Sequence, residues 1–157
     1  MIRKAYLSDI HCIEKWMKNL VTHLQNTSAD VYLKDLEEDH AQGFDAWLRE
    51  YIQSENSLVL VAEESNQPVG FILGQLTEPY IKASKIKQIG RIEACWIEPQ
   101  WREKGYATCL VQEIESWFRL KGVTYSDLYF IVGNTEAEKT WSNLGYSPYR
   151  VASRKPL

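Results

Sequence analysis

Apolar positions recur at helical spacing near the N-terminus, where Ile10, Ile13, Met17, Leu20, Val21 and Leu24 form one stripe. Ser8 precedes that stripe as a candidate N-cap, and Ile2 to Tyr6 reads as a short strand. Leu33 and Leu36 begin a second periodic stretch that Gly43 interrupts, before Phe44, Trp47, Leu48, Tyr51 and Ile52 resume it to about Gln53. The period then changes. Leu58 to Ala62 and Val69 to Leu73 are short β-branched runs on either side of the polar turn Glu64 to Pro68, which predicts a hairpin. A third strand follows from about Gln88 to Ile97 and stops at Pro99. Ala107, Leu110, Val111, Ile114 and Phe118 then mark one face of a helix closed by Gly122. Leu128 to Val132 reads as a strand, Asn134 or Thr135 to Leu144 as a short helix ended by Gly145, and the chain from Tyr146 as extended. The order β-α-α-β-β-β-α-β-α-β predicts a mixed α/β (α+β) sheet in one domain over residues 1–157.

Composition narrows the function classes. With 157 residues the chain has room for one core and no second domain, and it needs no disulfide or metal staple. Its 18 Lys and Arg against 21 Asp and Glu give a net charge of −3, which argues against a nucleic-acid partner, because counterion release needs a dense basic stripe. Cys12, Cys95 and Cys109 are dispersed and odd in number, so they read as reduced thiols. His11, His23 and His40 share no ligand spacing, and no metal is expected. The first residues form no apolar signal core and no run is long enough to span a bilayer, so no membrane association and a cytoplasmic location are the expectation.

The most informative segment runs from Ile92 to Ala107 and joins a strand to a helix through a tight loop. Arg102-x-x-Gly105-x-Ala107 places small residues where backbone must approach something closely. It also aims free N–H groups and the positive helix end at one point, as a phosphate or diphosphate requires; its other reading is a glycine placed at a helix start for steric convenience. The sequence has neither G-x-G-x-x-G after a strand nor G-x-x-x-x-G-K-[ST].

This segment resembles the acyl-coenzyme A binding motif of the GNAT superfamily of N-acetyltransferases, a strand, an R/Q-x-x-G-x-G/A loop and a helix. Asn134-x-x-Ala137-x-x-x-Trp141-x-x-x-Gly145-Tyr146 resembles that family's C-terminal signature, N-x-x-A-x-x-x-Y-x-x-x-G-F, and the hairpin at Leu58 to Leu73 resembles its β2–β3 hairpin. The resemblance implies helices on both faces of the sheet and a splay between the fourth and fifth strands. It implies acetyl-coenzyme A as cofactor, its diphosphate held by main-chain N–H groups of Arg102, Glu103, Lys104, Gly105, Tyr106, Ala107 and Thr108. Pantetheine would pair with the strand at Cys95, Trp96 and Ile97, with an N–H near Trp96 or Ile97 polarising the thioester. Asn134, Ala137 and Trp141 would flank the cofactor arm, and Lys104 and Lys139 would lie near phosphates. A splayed edge in this family often supports dimers, which adds a homodimer as an expectation.

The implied reaction is direct attack of a primary amine on the thioester in a ternary complex. Deprotonating an amine of pKa ~10.4 at pH 7 costs about 4–5 kcal/mol, so a base helps. Glu93, two residues before Cys95, is the candidate; its other reading is a solvated sheet position. Trp141 departs from the family's Tyr and cannot protonate the leaving sulfur. Tyr146 is the first substitute considered, with Tyr129 and Tyr149 behind it. The same departure keeps open an alternative, a catalytically impaired acyl-coenzyme A binding module. The acidic stretch Asp35 to His40, with Asp30 and Asp45, would attract a small cationic amine at the acceptor mouth; its other reading is a solvated helix face.

Overall fold

The computed structural model describes all residues from Met1 to Leu157. Strands β1 (Ile2–Lys4), β2 (Ser57–Glu64), β3 (Gln67–Thr77) and β4 (Ile89–Ile97) form an antiparallel meander, and β5 (Ser126–Leu128) joins β4 in parallel. Helix α1 spans Ile10–Thr27, α2 Val31–Lys34, α3 Phe44–Gln53, α4 Tyr106–Leu120 and α5 Thr135–Asn143. The predicted order holds through α5 except between β1 and β2, where the second predicted helical region is two helices, α2 and α3, separated by a turn that ends at Gly43 with φ +79°. None of the helices is long and apolar enough to cross a membrane.

The strands β2 and β3 are buried on both faces, which is why they read as continuous apolar runs rather than alternating ones. On one face α1 and α3 bring Ile13, Trp16, Leu48 and Tyr51 onto Val59, Val61, Phe71 and Leu73. Trp16 stacks on Phe71 with ring centroids 5.8 Å apart, and its indole N–H donates to Glu98 at 2.8 Å. On the other face α4 packs Leu110, Ile114 and Phe118 against Leu58, Leu60, Ile72 and Ile92. The ring of Phe118 lies over Gly90, where an added Cβ would sit 2.3 Å from its Cγ. Only glycine allows that approach.

Three expectations are corrected. Asp9 rather than Ser8 stands before α1, because its carboxylate accepts the Tyr6 N–H at 2.7 Å and two bonds from Arg3. The ladder of β5 is Ser126–Leu128, earlier than the predicted strand at Leu128 to Val132, since Arg91 and Asp127 lock the pairing with a two-point ion pair at 2.8 and 3.0 Å. Beyond Tyr146 the extended chain joins no ladder. It is held by side chains instead, with Tyr149 donating to Asp127 at 2.9 Å and Arg154 to Asp30 at 3.0 Å.

Candidate active site

The short β5 ladder shapes the site. It pairs only Gly90, Arg91 and Ile92 of β4, so the outer edge of Glu93 to Ile97 has no strand beside it. This is the expected splay between the fourth and fifth strands. The loop at the end of β4 turns through the 3-10 segment Pro99–Trp101 into α4, with Glu103 at φ +60° and Gly105 at φ +85°. Those left-handed residues point successive amides outward. The Arg102 N–H donates back to Pro99, and the next backbone donor bonded within the chain is Cys109; none of the N–H groups from Glu103 through Thr108 reaches a backbone carbonyl. A Cβ built on Gly105 meets nothing within 4 Å, so the space beside Gly105 is open. A row of free donors at the start of a helix is an anion site in waiting.

The structure places the remaining cofactor candidates around this notch. Trp96 is buried on the α1 face of β4, beneath the Arg102 guanidinium at 4.8 Å and edge-on to His23 at 6.1 Å. The Arg102 Nε donates to the Ile97 carbonyl at 3.1 Å, and its Nη1 reaches Glu136 of α5 at 3.2 Å. Arg102 thus bridges both lips of the notch, and sequence reasoning gave no sign of its acidic partner. Cys95 packs on the α4 face, where burial pushes its thiol up to about 12, so it stays protonated. Lys104 lies over the Trp101 ring at 4.2 Å, and Tyr106 donates to Glu64. Asn134 is buried, and its side-chain oxygen caps α5 by accepting the Ala137 N–H at 3.2 Å.

Glu93 occupies an irregular position. The β3–β4 register runs from Leu73 opposite Ala94 to Gly74 opposite Ile92, leaving Glu93 as the extra residue of a bulge. A bulge re-aims the side chain that it adds, here toward the face covered by α1 and α3. There Glu93 lines a cavity of about 510 Å³ with Met17, Trp47, Tyr51, Leu73 and Gln75. Gln75 Nε2 donates to Glu93 Oε1 at 2.8 Å and fixes the carboxylate. The Tyr51 hydroxyl is buried beside it without a hydrogen-bond partner, an arrangement that costs about 1–3 kcal/mol. Neither Gln75 nor Tyr51 was legible as a site residue, because Tyr51 sits in an apolar helical stripe and Gln75 on an ordinary strand position.

Tyr146 lies on the other side of the sheet. Its hydroxyl donates to Glu115 at 2.9 Å and meets Ser126 at 3.0 Å, and burial raises it above the usual tyrosine range. The structure therefore does not bring Tyr146 together with Glu93. Trp141 packs edge-on against Tyr146 at 5.7 Å. The acidic stretch also falls away from the cavity, whose carboxylates are Glu93 and Glu50. Asp45 is paired with Arg49 at 2.7 Å, and Asp30 with Arg154.

The model of the acetyltransferase (GNAT) family matches residues 18–146. The chain belongs to this family. It is 26% identical over 80 residues to an aminoglycoside N(6')-acetyltransferase type 1 of Acinetobacter genomosp. 13, covering 50% of this chain and 55% of that protein. A protein of the same description from Stenotrophomonas maltophilia is 27% identical over 69 residues, 44% of this chain and 45% of its own length. The match thus spans about half the length of these relatives. In fold, this GNAT chain superimposes on a tetramutant of the BH1408 protein of Bacillus halodurans with a TM-score of 0.86 at 17% identity, covering 100% and 99% of the two chains. The aminoglycoside N-acetyltransferase AAC(6')-Iy, solved in complex with CoA, superimposes with a TM-score of 0.75 at 17% identity and the same coverage.

Proposed function

We propose that this chain, acting as one unit over residues 1–157, transfers an acetyl group from acetyl-coenzyme A to a primary amine by direct attack in a ternary complex. The observation that carries the reading is the juxtaposition of two features on one strand. The far end of β4 leads into the row of unpartnered amides from Glu103 to Thr108, and its bulge puts Glu93 into a cavity on the adjoining face. The site fits a diphosphate, since the donors are uncommitted and the space at Gly105 is open.

When bound, acetyl-coenzyme A supplies the thioester that an amine nitrogen attacks. Arg102 and the amides hold the diphosphate, and the unpaired edge of Glu93 to Ile97 receives the pantetheine chain. A main-chain N–H near Trp96 or Ile97 steadies the developing oxyanion. Glu93, oriented by Gln75, takes the proton that the amine loses as its nitrogen bonds to carbon and the carbon–sulfur bond breaks. No proton is routed through Tyr146, whose hydroxyl is spent on Glu115 and Ser126. A thiol of pKa ~8.5 leaves acceptably as thiolate near neutral pH.

The aminoglycoside acetyltransferases among the relatives support a small cationic amine as acceptor. Thiol release from acetyl-coenzyme A against a panel of primary amines, an aminoglycoside included, tests the reading. Glu93→Gln is expected to lower kcat by roughly 10²–10⁴-fold while leaving coenzyme A affinity unchanged. Coenzyme A binding with no thiol release from any amine would favour a binding module that has lost catalysis, the reading that Trp141 in place of the family's Tyr supports.

A further inference from the structure

The polar side chains that line the Glu93 cavity have unequal fates. The Ser57 hydroxyl donates to the Tyr51 carbonyl at 2.6 Å, and Gln75 is spent on Glu93. The Tyr51 hydroxyl has no acceptor, although the residue is only 7% exposed. A phenylalanine at this position would pack the same ring against Trp47, at 4.9 Å, without stranding a donor. Packing alone therefore gives no reason for the hydroxyl. The cavity beside it is lined by the acceptors Glu93 and Glu50 and by Ser54, Asn56 and Gln75, and none of them reaches the hydroxyl, which leaves its proton for a molecule that enters.

We propose that the Tyr51 hydroxyl is a specificity-determining donor to an oxygen atom of the acceptor, so that the site selects primary amines carrying an ether, hydroxyl or carbonyl oxygen a few bonds from the nitrogen. The inference rests on the transferase reading above and names the acceptor class of that same site. The amine nitrogen faces Glu93, whose carboxylate accepts its N–H, and the phenol supplies the complementary donor. Burial with the Glu93 carboxylate nearby holds the phenol above the ordinary tyrosine range, so it remains a donor at any working pH. The oxygen lies behind the cavity wall, and the acceptor reaches it by displacing Trp47, which is 41% exposed and rests on Phe44 and Tyr51. The fully buried residues of that face stay in place.

The test uses two amines of equal length, 2-methoxyethylamine and n-butylamine, which differ by one ether oxygen in place of a methylene. Their kcat/KM values are measured by thiol release at saturating acetyl-coenzyme A, for the wild-type chain and for Tyr51→Phe. The ratio of the two values is compared between proteins, which cancels the amines' different basicity. The preference for the ether is expected to fall at least about tenfold in Tyr51→Phe, with coenzyme A affinity unchanged and no loss of Tm. An unchanged ratio, refusal of both amines by a wild-type chain that binds coenzyme A, or a Tm lowered by several degrees in Tyr51→Phe would each overturn the assignment. Failure of the wild-type chain to bind coenzyme A would instead overturn the transferase reading and this inference with it.

Discussion

Gly105 separates backbone geometry from charge at the heart of the site. Its φ of +85° lies in the left-handed region, where an L-residue costs roughly 1–2 kcal/mol, and its missing Cβ faces open space with nothing within 4 Å. Gly105→Ala therefore loses conformational ease without a clash. At about 2–4 °C per kcal/mol for a domain of this size, Tm falls by about 2–8 °C. Gly105→Asp meets the same φ with a residue that tolerates it better, and Gly105 is the N-cap of α4, where a carboxylate is favoured. The Asp variant is thus expected to be at least as stable as the Ala variant. Ligand response should order them the other way. Coenzyme A at 100 times its Kd adds about 2.7 kcal/mol, or roughly 5–11 °C, to the wild-type chain. Gly105→Ala keeps much of that shift. In Gly105→Asp the new carboxylate takes the free amides and repels the diphosphate, and the shift disappears. Differential scanning fluorimetry with and without coenzyme A reads both quantities. A full ligand shift in Gly105→Asp would refute the cradle, however stable the variant proved.

Glu136 pairs with Arg102 at 3.2 Å, yet its side chain is 58% exposed, so Glu136→Gln should tighten coenzyme A binding by no more than about fivefold, and only at low salt. Titration calorimetry at 20 and 200 mM salt, roughly spanning weak and strong screening, checks it; weaker binding in the variant would argue that Glu136 helps the site. Phe71 is fully buried against Trp16, and Phe71→Ala should cost about 3–5 kcal/mol in urea unfolding. The carboxyl of Asp9 responds to pH with a definite sign. Burial works upward on it, but the bonds from Arg3 and the Tyr6 N–H outweigh burial and hold it below the usual carboxylate range. The folded value being the lower one, its contribution is fully present above about pH 4 and is lost as pH falls through the folded value. Asp9→Asn should lose stability at pH 7 and lose less on acidification than the wild-type chain; equal acid sensitivity of the two would count against this pairing.

Much of the architecture was legible because it is written in local periodicity. The stripes of α1, α3 and α4, the apolar runs of β2 and β3, and the loop from Arg102 to Ala107 each satisfy a constraint that neighbouring residues impose on one another. Backbone chemistry at the cradle was legible for the same reason: a glycine before a helix start, preceded by residues that turn the chain, presents free amides wherever it occurs. The end of the chain was not. The stretch from Leu128 to Val132 has the composition of a strand, but pairing is decided by a partner edge, and the Arg91–Asp127 ion pair starts the ladder two residues earlier.

Local pattern thus determined most of the elements and the turn with free amides before α4, since each depends on contacts within a few residues. Tertiary structure alone decided the acceptor side. Which face of the sheet Glu93 takes turns on one bulge in the register between β3 and β4, and a shift of one residue reverses the face of a strand. That Tyr51 lies beside Glu93 with its hydroxyl unpaired, that Glu136 reaches Arg102 across the notch, and that Tyr146 is drawn away to Glu115 are likewise outcomes of packing distant segments together. No spacing along the chain encodes them, because the energy that fixes them comes from surfaces that meet only when the sheet and its two helical layers have closed.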